Sequence, residues 1–461
     1  TSRRSSLHLE SLASRCDLPS AATRISLRID DLAMRRDFIK FCGKAGLGLT
    51  MPLSWQGLAK GKANEPDAYE GPYYVVFNAS GGWDTTYLMD PKGVNDINRL
   101  YKEGDILTNG KHKFAPTAKQ VKKGMSNEDF FKVYGEELLV FNGMDYSINN
   151  HSPCKRYMAT GKLDSLAYPT FAALVAASLA KEAPLGFLTF GNYSATGNLV
   201  PMARVPYPQS LKLIANADSV QGIARLPYHD DFALDLIEKA LGEGADAAHM
   251  EQVPLPRAER AKSMLYAAQK NSKALKRVTP FISQNAPKER LARQADIALS
   301  CFKGGVCVSA NLSIGQFDSH ATNDPDQMRL IPEFLTGVDY LMKRAEELKI
   351  RDKLVVVIQS EMGRTPHYNK GQGKDHWSIG SIMFMGQGIR GNRVVGATDE
   401  RQFLIPIDNK TLSIDEENGI RTRPEHIHLA LRELAGIEDH PFSKKFPLKI
   451  PEEERLQGLF G

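Results

Sequence analysis

The chain has 461 residues, 42% of them apolar and 25% charged, a balance that fits a globular protein and excludes a disordered chain or a fibrous repeat. The formal net charge is +5, but residues 1–63 alone carry +6 and the remainder −1. Without a basic excess beyond that segment, nucleic acid and anionic membrane are not expected as partners.

Residues 1–33 are polar, rich in Ser and Arg, and aperiodic; they read as a disordered leader or as sequence upstream of the true start at Met34. From there the chain runs Arg35-Arg36-Asp37-Phe38-Ile39-Lys40. A weakly apolar stretch comes next, Phe41 to Ala59, broken by glycines, Lys44 and Pro52. That stretch is too polar for a membrane-spanning helix. Gly61 and Ala63 supply the small residues of a cleavage site. The expectation is a twin-arginine export signal over residues 34–63, with Arg35 and Arg36 as its recognition pair and the export machinery as partner. A basic amphipathic helix at a domain start is the alternative. The working protein, residues 64–461, would then be periplasmic or extracellular, with no integral membrane span.

Short β-rich apolar runs recur along that part: Tyr73–Phe77, Leu138–Phe141, Leu185–Phe190, Val306–Leu312, Leu354–Ile358 and Ile382–Met385. Continuous apolar runs of this length suit strands buried on both faces of a parallel sheet. Helical periodicity lies between them, most clearly over Tyr168–Lys181, Gln327–Leu348 and Pro424–Ala435. The alternation predicts a single α/β domain with a central, mostly parallel sheet flanked by helices. Residues 215–300 read as mainly helical and are expected to form an insertion.

The segments just past these runs are polar. After the first run comes Asn78-Ala-Ser-Gly-Gly-Trp-Asp84. After the second come Asn142-Gly-Met-Asp145 and then Asn149-Asn150-His151-Ser152-Pro153. Phe317-Asp318-Ser-His320 succeeds the fourth, Gln359-Ser-Glu361-Met-Gly-Arg364 the fifth, and Gly371-Gln-Gly-Lys374-Asp375-His376-Trp377 leads into the last. Ligands of open α/β sheets bind outside the carboxyl ends of the strands. Asp84, Asp318, His320, Glu361, Asp375 and His376 are therefore expected on one edge. Carboxylates and imidazoles gathered there are the natural ligands of a divalent ion, Zn first and Mn, Mg or Ca otherwise. Without a cation the carboxylates would repel one another. Each segment taken singly also fits a turn or a helix cap. His426 and His428 lie two apart on a predicted helix and are expected to be packing residues, as are His229, His249 and His440. Cys154, Cys301 and Cys307 are expected as small buried thiols, with a Cys301–Cys307 bridge open as the alternative.

Taken together, the GGWD run, the His-Ser segment ending in Thr-Gly, FDSH, SEMGRTP and GKDHW resemble the exported family called domain of unknown function fifteen-oh-one, which is grouped with the alkaline phosphatase and sulfatase superfamily. The resemblance covers about residues 70–436. It implies an alkaline-phosphatase-like three-layer sandwich with a site of one or two metal ions at the strand ends. It further implies ligand roles for Asp84, Asp318, His320, Glu361 and His376, and a nucleophile at His151-Ser152. Two departures stand out. Glu361-Met362 occupies a station usually held by Asp-His, which leaves Asp375 as a substitute ligand. His151-Ser152-Pro153-Cys154-Lys155 lies in the register of the sulfatase pattern C/S-x-P-x-R, with His for the nucleophile and Lys for Arg. Arg364, Lys374 and Arg156 are the candidate anion-holding groups. The expected function is a metal-dependent hydrolase acting on a small anionic phosphate or sulfate ester. The alternative is an exported binding or surface-assembly protein that keeps the fold.

Overall fold

Tyr73–Ala79 reads YYVVFNA and Leu354–Ser360 reads LVVVIQS, and every residue of both is buried. Such β-branched and aromatic runs make strands whose two faces are both covered. The computed structural model describes residues 67–180, 183–220, 227–250 and 273–461; the expected leader and export signal lie outside the described residues. The described residues all fall within one compact unit, Gly48–Gly461.

The main sheet has eight strands. In chain order they are β1 (Tyr73–Ala79), β2 (Leu139–Asp145), β3 (Phe187–Thr189), β4 (Met202–Ala203), β5 (Ser309–Ile314), β6 (Leu354–Ser360), β7 (Ile379–Gly386) and β8 (Arg393–Val395). Their spatial order is β8-β2-β7-β6-β1-β5-β3-β4. β1 pairs in parallel with β5 and β6, β3 with β4 and β5, and β8 with β2. β7 runs antiparallel to both β2 and β6. The sheet is thus mixed and mostly parallel, as the sequence predicts, with one reversed strand.

Helices cover both faces. On one side lie α1 (Asn127–Tyr134), α6 (Arg290–Lys303) and α7 (Asn323–Glu347); on the other lie α2 (His151–Thr160), α3 (Phe171–Leu179) and α8 (Pro424–Leu434). Alternation along β1 divides its side chains between the two layers. Tyr74 and Val76 join the core under α3 and α8, with Phe171, Ile427 and Leu431. Tyr73 stacks on Phe302 of α6 at 4.9 Å between ring centroids, and Phe77 meets Phe334 of α7 edge-on at 6.0 Å. Truncating Phe77 to Ala at the centre of this sandwich would cost about 3–5 kcal/mol.

The stretch read as a helical insertion follows α4 (Pro208–Ala215) and, among the described residues, contains α5 (Asp231–Met250) and a 3-10 segment, Lys273–Phe281. Its last helix, α6, is no insertion: it packs on β5 and along α7 as part of the sandwich. Among the described residues no helix is long and apolar enough to cross a membrane. Cys154, Cys301 and Cys307 are buried free thiols, and burial pushes those of Cys154 and Cys307 up to about 12.

Candidate metal centre

Four of the polar segments emerge from carboxyl ends of parallel strands: residues 80–84 from β1, 146–151 from β2, 315–320 from β5 and 361–364 from β6. The fifth reaches the same edge by another route. Because β7 is antiparallel, its amino end lies there, and His376 immediately precedes it in a two-residue ribbon paired with Gly363–Arg364. The loops approach closely. Gly81 has φ +123°, and a Cβ there would lie 2.5 Å from the Asp318 backbone nitrogen. Only glycine fits that crossing.

The Asp318 carboxylate is the focus. Its Oδ1 is 3.0 Å from His320 Nε2 and 3.2 Å from His376 Nε2, and its Oδ2 is 3.2 Å from His151 Nε2. His320 Nε2 is also 3.0 Å from His376 Nε2. Ligand atoms of His151, Asp318 and His376 all lie within 4.8 Å of one another. These side chains are between one fifth and one half exposed, so the cluster opens to solvent.

The opposite nitrogen of each ring is fixed from behind. His376 Nδ1 is 2.8 Å from the Asn149 carbonyl oxygen, which only accepts, so that nitrogen carries the proton. His320 Nδ1 donates to Asp375 Oδ1 at 2.8 Å, and His151 Nδ1 to Glu361 Oε1 at 3.1 Å. In the neutral rings all three Nε2 lone pairs then point at a carboxylate and, for His320 and His376, at each other. That arrangement is repulsive unless a cation or extra protons lie between. Imidazoles oriented in this way by a carboxylate or carbonyl are the usual setting of metal ligands. The nearest-neighbour spacings of 3.0–3.2 Å and the overall spread of up to 4.8 Å bracket the roughly 3.3–3.6 Å expected between tetrahedral ligands at bonds of about 2.0–2.2 Å. The donor set therefore fits a divalent ion.

Asp318 is held in its charged form. Burial raises its pKa, but the Arg364 guanidinium and the neighbouring imidazoles outweigh that and bring it down to about 2. The hydrogen bond from His320 likewise lowers Asp375. The hydrogen bond to Glu361 raises His151 against the opposing effect of burial.

Not every expected site residue arrives in its expected role. Glu361 is fully buried; its Oε1 accepts from the Gly81 N–H at 2.7 Å and from His151, with Lys155 Nζ at 3.7 Å, while Oε2 has no hydrogen-bond partner. It and Asp375 bond the Nδ1 sides of His151 and His320 instead of adding to the Nε2 cluster. Asp84 is not at the cluster either. It is buried and caps a 3-10 turn, with Oδ1 accepting from the Thr86 N–H and hydroxyl and Oδ2 from Asn323 Nδ2 and Lys374 Nζ. His151, read in the register of a nucleophile, stands among the ligand-type groups.

The anion-holding groups also need correction, because each expected cation is already engaged. Arg364 is buried and gives its N–H groups to the carbonyls of Gly81, Gly82 and Lys374 and to Asp318 Oδ1. Lys374 is buried against Asp84. Arg156 donates to the Leu163 carbonyl. Ser152 is exposed on the first turn of α2, with its N–H given to the Asn150 side chain. Supporting residues that sequence reasoning missed are Asn323 and Gln327. Gln327 accepts from the Asp84 N–H and donates to the Phe317 carbonyl, and Asn323 accepts from the Ser319 hydroxyl. Their positions on α7 carry no motif. His426 and His428 are packing residues as expected, bonded to Glu454 and to the Met158 carbonyl.

Fold and site together define an α/β protein whose mostly parallel sheet presents a His/Asp cluster at its carboxyl edge. Residues 232–410 match the family described as "Protein of unknown function (DUF1501)", the family its motifs resemble. No curated protein matches the chain. Among solved structures it is similar to Ps i-CgsB, with 10% identity, 84% of this chain and 74% of that one covered, and a TM-score of 0.38. It is similar to BT1596, a 2-O GAG sulfatase, with 11% identity, 84% and 72% coverage, and a TM-score of 0.30. It is also similar to the alkaline phosphatase from the Antarctic bacterium TAB5, with 8% identity, 80% and 99% coverage, and a TM-score of 0.34. Likenesses at this level assign neither substrate nor catalytic residue.

Proposed function

We infer that the chain is an exported, metal-dependent hydrolase of phosphate or sulfate esters, working in the periplasm or outside the cell. One observation carries the metal: three imidazoles, each with Nδ1 tied to an acceptor, turn their Nε2 atoms toward one carboxylate held ionised by Arg364. His151, Asp318 and His376 would hold the ion, with His320 beside them; zinc suits this donor set best. Such an ion supplies Lewis acidity toward an ester oxygen and a low-pKa bound water.

The chain's own residues would do the rest. Arg364 keeps Asp318 charged and in place. Glu361, Asp375 and the Asn149 carbonyl fix the ring orientations. Ser152 presents a hydroxyl at the amino end of α2, where backbone N–H groups favour an anion. Lys155, one turn on from His151 and about one third exposed, is a cation within reach of the cluster. Support for export comes from the Arg35-Arg36 signal pattern.

A second reading is a binding protein without turnover. The engagement of Arg364, Lys374 and Arg156 inside the protein favours it, since it removes the expected oxyanion clamps. The test is turnover of aryl phosphate and aryl sulfate esters by the fully metallated protein. Hydrolysis that is lost in Asp318→Ala and His376→Ala supports the enzyme. Ser152→Ala then separates a covalent route, which loses orders of magnitude, from attack by water, which loses little. Metal bound without turnover of any ester supports the binding protein.

A further inference from the structure

Asp375 meets His320 at the open side of the cluster. Its carboxylate is 54% exposed, and its Oδ1 accepts the His320 Nδ1–H at 2.8 Å. A half-exposed carboxylate with one hydrogen bond keeps much of its rotamer freedom, so that bond by itself would not fix the ring. A second bond completes the hold. Asn369 Nδ2 donates to the same Asp375 Oδ1 at 3.0 Å and to the His320 carbonyl at 2.9 Å, so one amide grips both members of the pair. Its Oδ1 accepts the N–H groups of Gly371 at 2.9 Å and Gly373 at 3.0 Å. A primary amide has two donors and two acceptor positions, and Asn369 uses all four. The partners also decide which way the amide faces. Two N–H groups require its oxygen, and a carbonyl and a carboxylate require its nitrogen; the reversed amide would set like against like on both sides.

The backbone puts the amide in this place. The Asn369 N–H donates to the Gly373 carbonyl at 2.8 Å, and the Gln372 N–H returns to the Asn369 carbonyl at 3.1 Å, which closes a tight loop. That loop lies directly on His320. A Cβ at Gly373 would stand 2.0 Å from the His320 carbonyl carbon, so only glycine fits the crossing. The chain leaving the loop then carries Asp375, which bonds the His320 ring, and His376, which faces that ring at 3.0 Å.

We propose that Asn369 is a positioning residue of the metal centre: by holding Asp375 Oδ1 in place it fixes the His320 ring, with Nδ1 protonated and Nε2 turned to Asp318 Oδ1, and so raises the affinity of the cluster for its ion. The gain in affinity rests on the metal-centre reading above; the hold on the ring does not. Asn369 acts on the ring through Asp375, so its effect should vanish when that carboxylate is removed.

The experiment is a double-mutant cycle on the full chain: the unaltered protein, Asn369→Ala, Asp375→Ala and the two combined. Zinc affinity is read by competition with a chelator. The His320 ring is read by nitrogen-15 NMR of metal-free, histidine-labelled protein with its rings neutral, the signals being assigned by their loss in His320→Gln. Asn369→Ala is expected to weaken zinc binding about 10-fold, as loss of a supporting partner does. Added to Asp375→Ala, it should change affinity by less than about 2-fold, because both act along one path. In each metal-free single variant His320 should pass from the Nδ1-protonated tautomer to a mixture of both. Additive losses of affinity would mean that Asn369 only supports the loop, and would overturn the proposal; so would zinc affinity or a His320 spectrum that Asn369→Ala leaves unchanged. Zinc bound by none of the four proteins, with the tautomer change present, would sink the metal-centre reading and leave the hold on the ring standing. Should Asn369→Ala fail to fold, Asn369→Asp decides. Its carboxylate still accepts both glycine N–H groups but sets an oxygen against Asp375, so the mixed tautomers are expected there too, and a parental spectrum refutes the proposal.

Discussion

His320 Nε2 and His376 Nε2 face each other at 3.0 Å, although the partner of each ring's other nitrogen places the proton on Nδ1. Two bare nitrogen lone pairs at that distance repel, and Asp318 Oδ1 adds a third electron-rich atom within 3.2 Å of both. The contact is stable only with positive charge among these atoms, and a bound divalent ion would supply it.

Glu361→Gln should leave the fold intact and weaken metal binding. The amide oxygen still accepts the Gly81 N–H, but the charge that orients and enriches His151 is gone. Loss of such a supporting carboxylate typically costs about 10–100-fold in metal affinity. Titration with a competing chelator reads it, and unchanged affinity would count against the assignment of Glu361 as a positioning residue.

Arg364→Lys should destabilise the protein and release Asp318. The guanidinium serves four acceptors in a fixed fork, three carbonyls and one carboxylate, and an ammonium cannot reproduce that geometry. Leaving even one or two buried acceptors unmade costs about 2 kcal/mol or more. Denaturant unfolding checks the loss; a variant as stable as the parent would contradict it.

The strands are legible in the sequence because burial on both faces of β1 and β6 demands uninterrupted apolar runs, and such runs are visible without a structure. Asp318 and His320 are legible because polar residues concentrate just past those runs, and His376 because it stands in a Gly-rich polar loop leading into the last one. The roles of Asp84 and Lys374 are not. Whether a Lys in a glycine-rich loop points to solvent or folds back on an Asp 290 positions away is decided by tertiary packing. The reversed direction of β7 is hidden for a similar reason, since an apolar run has no polarity. α6 reads as part of the insertion because its helical periodicity is the same whether it caps a sheet or stands away from it.

Acid should destabilise the fold through His428. Burial pushes this ring down to about 4, and it donates Nε2–H to the Met158 carbonyl behind α2. Its folded pKa lies below the unfolded value of about 6.5. Below that value the unfolded chain binds the proton first, so stability present above about pH 6.5 is lost as pH falls toward 4, by up to about 3 kcal/mol. Unfolding free energy against pH measures this. His428→Gln, compared with its parent across that window, should show a shallower slope; an identical slope would assign the acid sensitivity elsewhere.

Export should fail when Arg35 and Arg36 are both changed to Lys, leaving the uncleaved protein in the cytoplasm. Fractionation of cells expressing the double variant reads the outcome, and unimpaired export would remove the support for a twin-arginine route.

Metal content of the purified protein tests the central claim most directly. After exposure to zinc and removal of loosely bound ions, about one tightly held divalent ion per chain is expected. It should be absent from Asp318→Ala and His376→Ala, with their far-ultraviolet circular dichroism preserved. A protein that retains no divalent ion, or retains it undiminished in both variants, would contradict the account.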